Sequence, residues 1–443
     1  MRPVFHFTPE ANWINDPNGL CQADGVYHLY YQHNPHGAVW GDMHWGHAVS
    51  TDLLHWTDRP VAMAPALEKG EIHCFSGGCC KDAAGKPHFF YTSVGRAEDG
   101  RDCAHGAEQW YAEPADGNLD HLVQTDDHAL TDAIHGGMHV RDWRDPCVLP
   151  WKGQYLMVLG GCVEERGCVL LYTSPDMRTW TYRHILVQSD KADGIPWECP
   201  NLFPLDGRMV LLYSPCAAVE VLVGDLDDDL HFRVATREVL DPAGRQGFYA
   251  PQMFRDEQGR TILLGWMPET DGDERAVQRG YSGAMSLPRI LSVKDGHLHA
   301  EPMREVWSLA RETEHVSGRH YLAALDCPRA ALPLTATLLA SPDGREHTLL
   351  TLTADGVLTL DRAASSLDGA PDKSPISRRV RLGEDVRLFL AVDGSAVECC
   401  VSGQWLSGRV YPTETGCGGL RVDAAGPVAV RLGEVEENVC RRA

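Results

Sequence analysis

Apolar and aromatic residues come in short runs along the chain, each bounded by Gly, Pro, Asp or Asn, and helical periodicity is scarce. Such runs predict many short β-strands. A turn glycine followed by an apolar strand recurs five times, and the five copies begin at Gly25, Gly85, Gly153, Gly207 and Gly259. These glycines are 60, 68, 54 and 52 residues apart. A unit of that size favours a β-propeller with four-stranded blades. A plain β-sandwich, whose hairpins also begin at glycines, is the alternative that the pattern leaves open.

The pattern changes near residue 300, where a short helical or turn segment contains Trp307 and only Trp405 follows among the tryptophans. Short alternating strands come after it, for example over residues 357–360 and 386–390. The chain is therefore predicted to be all-β, and we divide it into a propeller domain over 1–300, a linker over 301–312 and a β-sandwich over 313–443. Because no flexible Gly/Ser segment separates the two domains, we expect extensive contact between them.

The composition excludes some classes of partner. The chain has 443 residues and a net charge of −22, spread along its length. Nucleic acids and anionic membrane surfaces bind basic faces, so neither is an expected partner. No apolar run approaches the ~18 residues that a membrane span needs, and the first residues contain no apolar signal core. We therefore expect a cytoplasmic protein.

The cysteines and histidines do not predict a metal or a disulfide framework. The count of 15 cysteines is odd, two pairs are adjacent, and there is no C-x-x-C spacing. Reduced and mostly buried thiols are the expectation. His44 and His47 are three residues apart in a predicted strand, so their rings would point to opposite faces, and we expect no metal site there.

Three carboxylates occur in unusual settings. Asp16 belongs to Asn-Asp-Pro-Asn-Gly, a tight-turn composition, and is predicted to lie in a rigid turn. Arg144 precedes Asp145 and should help to keep it ionised, whereas desolvation beside Trp197 should raise the pKa of Glu198 and suit it to general acid catalysis. Taken singly, each has a simpler interpretation: a hairpin turn, a surface ion pair, or a solvated acid at a strand end. Together they match the differentiated carboxylates that glycoside hydrolysis needs.

The sequence resembles glycoside hydrolase family 32, which contains invertases, sucrose-6-phosphate hydrolases, inulinases and levanases. The similarity extends along nearly the whole chain, and the family's fold is a five-bladed propeller followed by a β-sandwich, in agreement with the repeat count. Similar but less specific motifs occur at 397–398 and 408–412. The motifs that support the resemblance follow in the family's order at residues 5–9, 12–19, 30–35, 40–47, 75–77, 144–146, 197–200, 248–252 and 285–289.

The resemblance implies a retaining β-fructofuranosidase that hydrolyses terminal β-D-fructofuranosyl residues of sucrose, fructo-oligosaccharides or fructans through a covalent fructosyl-enzyme. In this scheme Asp16 is the nucleophile, Glu198 the acid/base, and Asp145 the residue that stabilises the transition state. No metal or organic cofactor is implied, and the partner is a small carbohydrate. The residues that would shape the fructose pocket are Asn15, Gln32, Trp40, Phe75, Ser76, Arg144 and Trp266.

Other functions remain open from the sequence. One is a fructosyltransferase, another a glycosidase of a related propeller family that acts on a different furanoside, and a third a non-catalytic sugar-binding propeller. The sandwich domain could buttress the propeller, bind carbohydrate or join copies into a homo-oligomer.

Two positions depart from the family's pattern. Gly247 stands where an acid is common, in a segment that we expect at the pocket rim where the leaving-group sugar would bind. Tyr281 stands where tryptophan is common. We hypothesise from both that the leaving group is something other than an unmodified glucose.

Overall fold

The computed structural model describes residues 2–96 and 102–436. Regular structure in this part of the chain is almost entirely β: five sheets are built from residues 12–302 and two further sheets from residues 310–435. The first strands of the five sheets in residues 12–302 contact one another in a closed ring, so that each sheet lies beside the next. The predicted five-bladed propeller followed by a β-sandwich is confirmed, and a lone sandwich is excluded.

Each of the first four blades is an antiparallel sheet of four consecutive strands. The strands of blade 1 are β1 (Asn12–Ala23), β2 (Val26–Asn34), β3 (His44–Ser50) and β4 (Thr57–Met63). Those of blade 2 are β5 (Glu71–Lys81), β6 (Pro87–Arg96), β7 (Asp102–Pro114) and β8 (Leu122–Leu130). Those of blade 3 are β9 (Arg141–Trp151), β10 (Gln154–Val163), β11 (Arg166–Ser174) and β12 (Thr181–Gln188). Those of blade 4 are β13 (Glu198–Leu205), β14 (Arg208–Ser214), β15 (Val219–Leu226) and β16 (Phe232–Asp241).

Blade 5 is less regular and closes the ring. Its short strand β19 pairs in parallel with β1 of blade 1. A seven-residue helix, α1 (Asp273–Arg279), precedes β19. The strands of this region are β17 (Tyr249–Arg255), β18 (Thr261–Met267), β19 (Tyr281–Ser282), β20 (Ala284–Met285), β21 (Arg289–Lys294) and β22 (His297–Pro302). Short 3₁₀ turns occur at Leu67–Lys69, Asp132–His135, Arg304–Leu309 and Arg329–Ala331.

The sandwich consists of a six-stranded and a five-stranded sheet. The six-stranded sheet contains β23 (Ala310–Thr313), β24 (His320–Pro328), β29 (Asp385–Asp393), β30 (Ala396–Val401), β31 (Gln404–Arg409) and β33 (Ala429–Val435). The five-stranded sheet contains β25 (Leu334–Ala340), β26 (Thr348–Leu352), β27 (Val357–Asp361), β28 (Ile376–Arg379) and β32 (Gly418–Ala424). The propeller sheets end with β22 and the sandwich sheets begin with β23, so we propose domains close to the predicted division.

The repeated glycines are the turn residues between the first and second strand of each blade. Gly25, Gly85, Gly153, Gly207 and Gly259 have φ values of 79°, 83°, 81°, 76° and 81°. This left-handed conformation is one that glycine adopts without the steric cost of a Cβ. The spacing seen in the sequence is therefore the spacing of successive blades.

The first strand of every blade contains a break in pairing at the same point along its length. The pairing registers shift between Ile14 and Pro17, Cys74 and Gly77, Glu198 and Asn201, and Tyr249 and Gln252, and the equivalent shift in β9 falls between Arg144 and Cys147. A bulge of this kind turns a side chain out of the strand's regular alternation. The five breaks therefore present side chains from five blades at one end of the ring.

The predicted tight turn at Asn-Asp-Pro-Asn-Gly is wrong. These residues lie inside β1, and Asp16 occupies the break between Ile14 and Pro17. Pro17 has no N–H to donate to a neighbouring strand, so it is tolerated at an irregularity of this kind. The turn-like composition thus marks an interrupted strand.

The two domains meet across a group of buried charges that we call the interface cluster: His6, Asp241, Arg289, Asp393 and Glu398. His6 Nδ1 lies 2.8 Å from Asp393 Oδ2, and His6 Nε2 lies 3.0 Å from Glu398 Oε2. Arg289 donates to Glu398 Oε1 at 2.7 Å and lies 3.3 Å from Asp241. The propeller and the sandwich are thus joined by buried ion pairs, as the expected close contact requires.

Among the helices within residues 2–96 and 102–436, none has the length and apolarity that a membrane span requires.

Candidate active site

The breaks in the first strands surround a pocket of about 320 Å³ on the propeller. All ten residues predicted for the site line this pocket. They come from blades 1 to 5: Asn15 and Asp16 from β1, Gln32 from β2, Trp40 from the connection that follows it, Phe75 and Ser76 from β5, Arg144 and Asp145 from β9, Glu198 from β13, and Trp266 from β18.

Asp16 contacts side chains from two other blades, blade 2 and blade 4. Ser76 Oγ donates to Asp16 Oδ2 at 2.6 Å, and the Cys199 thiol lies 3.4 Å from the same oxygen. Enclosure by protein raises the pKa of Asp16, and this outweighs the hydrogen bonds from Ser76 and Asn15, which act in the opposite direction. The carboxylate is fixed in one orientation and only weakly stabilised as an anion.

Asp145 is the most enclosed of the three carboxylates. Its residue is left-handed, with φ of 64°, and its N–H donates to Thr92 Oγ1 at 2.9 Å. Asp145 Oδ2 accepts from the backbone N–H of Cys199 at 2.8 Å. Burial raises the pKa of Asp145 to about 7, although the charge of Arg144 acts to lower it. Arg144 therefore favours the ionised form of Asp145, as expected, but desolvation is the larger effect and the net change in pKa is upward.

At Glu198 the neighbouring charges and hydrogen bonds affect the pKa more than burial does. Its Oε2 lies 2.5 Å from the Tyr249 hydroxyl and 3.1 Å from Arg245 Nη2, and its Oε1 lies 3.8 Å from Arg144 Nη2. Burial would raise the pKa of Glu198, but Arg144, the Tyr249 hydrogen bond and Arg245 together lower it below its ordinary value. The predicted rise is therefore wrong, since two cations face this carboxylate.

The predicted sugar-binding residues form the walls. Trp40 is half-exposed at 49% and contacts the ring of Phe75 edge-on, with ring centres 6.3 Å apart. Gln32 is buried and donates to the Cys74 carbonyl at 2.9 Å. Within the described residues, the buried Nε of Arg144 has no hydrogen-bond partner. Aromatic walls and a few fixed polar groups are typical of a small-molecule site.

Three further residues line the pocket and were not predicted: Trp13, Arg245 and Tyr249. Trp13 packs edge-on against Trp266, with ring centres 5.8 Å apart. Tyr249 follows Phe248 in one of the motifs, so the sequence contained a signal for it. Arg245 belongs to the unusually long segment before that motif, where the sequence offered no pattern that singles it out.

The two departures from the family's pattern lie outside the pocket. Gly247 is buried against the sandwich, and a Cβ there would lie 2.6 Å from the Cα of Gly408. Tyr281 is buried in β19 opposite Asn12, with the guanidinium of Arg2 4.2 Å from its ring centre. The segment that contains Gly247 reaches the pocket, as expected, but Gly247 itself packs against the backbone of the second domain. Arg245 is the residue of this segment that faces the pocket.

The described cysteines are free thiols, and ten of the thirteen are buried. Cys440 and the Cys103 side chain lie outside the described residues. No group of three or more His, Cys, Asp or Glu residues in the described ranges has the arrangement to hold a metal ion.

Comparison with known proteins relates this arrangement to a family. Residues 6–302 match the model of the glycosyl hydrolases family 32 N-terminal domain. The raffinose invertase of Escherichia coli is 36% identical over 330 residues, which cover 71% of this chain and 67% of that protein. The sucrose-6-phosphate hydrolase of the same species is 30% identical over 446 residues, covering 93% and 89%.

The chain belongs to glycosyl hydrolase family 32. Its fold is also that of the crystal structure of fructan 1-exohydrolase IIa from Cichorium intybus, with a TM-score of 0.85 at 24% identity over 98% of this chain and 97% of that one. The family and the glycoside hydrolase class expected from the motifs are thus confirmed.

Proposed function

We propose that this family 32 β-fructofuranosidase hydrolyses sucrose and fructans by double displacement, with Asp16 as nucleophile and Glu198 as acid/base. One observation supports these roles above all: three carboxylates from three blades line one pocket, and their surroundings differ. Retaining glycosidases need two carboxyl groups that perform different tasks on opposite sides of one bond.

In the first step Asp16 attacks the anomeric carbon of the fructosyl unit. A carbon–oxygen bond forms to the Asp16 carboxylate while the bond to the leaving-group oxygen breaks. Glu198 transfers its proton to that oxygen, so the leaving group departs as a neutral alcohol. The hydrogen bond from Ser76 fixes the Asp16 oxygen and reduces the motion needed for attack.

In the second step a water molecule attacks the anomeric carbon and the bond to Asp16 breaks. Glu198, now ionised, accepts a proton from that water. Arg144 and Tyr249, both close to Glu198, stabilise this ionised form. The released fructose keeps its anomeric configuration because the carbon is inverted twice.

Asp145 and Arg144 are placed to hold fructose hydroxyl groups. The backbone N–H of Cys199 donates to the Asp145 carboxylate, and the N–H of Asp145 donates to Thr92 Oγ1 and so fixes the backbone that carries it. Arg144 presents an unsatisfied Nε, the type of buried donor that a sugar hydroxyl can satisfy. Hydrogen bonds that shorten as charge develops on the sugar ring would lower the barrier.

The test is fructose release from sucrose, kestose, inulin, levan and sucrose 6-phosphate by the wild type and by Asp16→Ala and Glu198→Ala. Both variants should lose about 10³-fold or more of kcat on every natural substrate that the wild type cleaves. Asp225→Ala, which removes an exposed carboxylate on β15, is the matched control and should retain full activity. Wild-type rates in Asp16→Ala would contradict the nucleophile assignment. Longer oligosaccharides among the products would indicate fructosyl transfer.

Two wider expectations remain proposals. The free thiols support a reducing, cytoplasmic location, since secreted proteins with many cysteines usually pair them. Cell fractionation with an antibody against the chain measures this directly. A homo-oligomer through the sandwich domain is measured by light scattering of the purified protein and of variants with charged substitutions on the exposed sandwich surface.

A further inference from the structure

Arg245 is the pocket residue whose position the family assignment does not explain. It lies on the segment 242–248 between β16 and β17, which we call the rim loop. Its Nη2 lies 3.1 Å from Glu198 Oε2, and its guanidinium lies 5.0 Å from the ring centre of Tyr249. The side chain is 55% exposed, in contrast to the 16% exposure of Glu198. The acid/base carboxylate is thus covered from the solvent side by a cation.

This contact conflicts with the first chemical step. Glu198 must carry a proton in order to give one to the leaving group. A guanidinium at hydrogen-bond distance stabilises the ionised carboxylate instead. The contact therefore has to be weakened or broken when the free enzyme forms the reacting complex.

Resting on the function proposed above, we propose that Arg245 is a displaceable positioning residue. It pairs with Glu198 in the free enzyme, and the leaving-group sugar replaces it, so that Glu198 takes up a proton from solvent when substrate binds.

The surroundings of Arg245 permit this displacement. The backbone of the rim loop is fixed, because Gly247 packs against Gly408 and Arg362 Nη2 donates to Gln246 Oε1 at 2.8 Å. The half-exposed Arg245 side chain can therefore swing into solvent without a backbone change. An ion pair open to water is weak enough for a bound sugar to replace it.

Arg144, the second cation near Glu198, is not suited to the same movement. Its Nη2 donates to Asp142 Oδ1 at 2.9 Å, and its side chain is only 21% exposed. Arg144 therefore stays beside Glu198 Oε1 with or without substrate. Displacement of Arg245 alone would leave one cation on the carboxylate, which is what the second, basic role of Glu198 requires.

The other groups around Glu198 set the size of the expected effect. Asp16 on β1 and Asp145 on β9 are negative neighbours, Tyr249 on β17 donates a hydrogen bond, and the Cys216 thiol lies 3.5 Å from Oε2. The negative neighbours favour the protonated form of Glu198. With Arg245 gone, Arg144 and Tyr249 alone oppose them, so the Glu198 proton should be retained to higher pH.

The experiment measures kcat/KM for sucrose against pH in the wild type, Arg245→Gln, Arg245→Lys and the control Arg233→Gln. Arg233 is an exposed arginine of blade 4 that pairs with Asp227. Because kcat/KM reports the ionisation of the free enzyme, its basic limb should rise by about one pH unit in Arg245→Gln. The basic limb should stay near the wild-type position in Arg245→Lys, which keeps the charge, and in the control.

An unchanged basic limb in Arg245→Gln would overturn the proposal, and so would an equal shift in Arg245→Lys, since charge would then not be the cause. Thermal unfolding of Arg245→Gln at wild-type temperature shows that the variant is folded. The Glu198→Ala variant distinguishes a failure of the acid/base assignment from a failure of the role proposed for Arg245. If Glu198→Ala keeps its activity on sucrose, the acid/base assignment fails; if it loses activity while the Arg245→Gln limb is unmoved, only the role of Arg245 fails.

Discussion

The active-site pocket and the interface cluster each contain three enclosed carboxylates, but the two regions treat them differently. In the interface cluster Asp393 and Glu398 are fully buried, and each contacts cationic partners on more than one side. Burial would raise the pKa of Asp393, but His320 and His6 hold it far below its usual value. The pKa of Glu398 is lowered in the same way by Arg289 and His6.

In the pocket, compensation is incomplete. Asp16 receives hydrogen bonds from neutral groups only, and Asp145 has one cation beside it. In both residues burial outweighs these contacts and raises the pKa. Glu198 alone has two arginines nearby. Removing one partner of a fully compensated buried pair destabilises the native state, whereas buried charge with partial compensation can exchange protons near neutral pH. The comparison predicts stability effects at the interface and effects on pH profiles in the pocket.

The largest expected effect is on stability, from Glu398→Gln. The substitution leaves Arg289 without its closest carboxylate in a fully buried position, and loss of one partner of such a pair costs about 3–5 kcal/mol. Urea unfolding at pH 7 measures the free energy of unfolding.

The matched control is Asp423→Asn, which removes an exposed partner of Arg421 and should change the free energy of unfolding by less than about 1 kcal/mol. The kcat of folded Glu398→Gln should stay near the wild-type value. A loss of stability no larger than that of the control would show that the interface charges are not compensated as described.

The next effect is a pH dependence of stability caused by His6. Burial lowers the pKa of His6, but Asp393 and Glu398 outweigh burial and raise it to about 9. A folded-state pKa above the unfolded value stabilises the protein fully below pH 6.5, and this contribution is lost as pH rises through 9.

Between pH 6.5 and pH 9 the wild type should lose up to about 3 kcal/mol of unfolding free energy. Urea unfolding at intervals of half a pH unit measures the slope, which should be absent in His6→Gln and retained in His315→Gln, where an exposed histidine is replaced. An equal slope in all three proteins would assign it to other groups.

The smallest effect concerns Asp16 in the pocket. Ser76→Ala removes the 2.6 Å hydrogen bond that favours the ionised form of Asp16. The pKa of Asp16 should therefore rise further, and the acid limb of kcat/KM should move up by about one pH unit. Ser174→Ala, on β11 of blade 3, is the control and should leave the limb in place. A limb that does not move would mean that Asp16 is not the group titrating there.

The blade count could be predicted because the five turn glycines need a left-handed backbone, and that need repeats once per blade. Nine of the ten predicted pocket residues belong to a recognisable motif, and Trp266 lies outside those motifs. The break in β1 could not be predicted, since Asp-Pro in a strand interruption and Asp-Pro in a turn have the same local composition. The result is that a turn was predicted where Asp16 occupies a bulge.

The ionisation of Asp145 and Glu198 could not be predicted from the sequence for a different reason. Neighbours in the chain suggested that Arg144 acts on Asp145 and that Trp197 acts on Glu198. The charges that decide the outcome for Glu198 include Arg245, which is 47 residues away in sequence. Gly247 shows the same limit, because the residue that excludes a side chain there is Gly408, in the other domain.

The docking of the rim loop on the sandwich has a consequence for protein engineering. Asp241 binds Ser407, Gln246 binds Arg362, and Gly247 packs against Gly408. Residues of the second domain therefore determine the conformation of the rim loop. In a chimera that joins this propeller to the sandwich of a relative, the part of the pocket lined by blades 1 to 3 would keep its shape. The rim loop, which contributes Arg245 to the pocket, would change, and we expect the substrate preference to change with it.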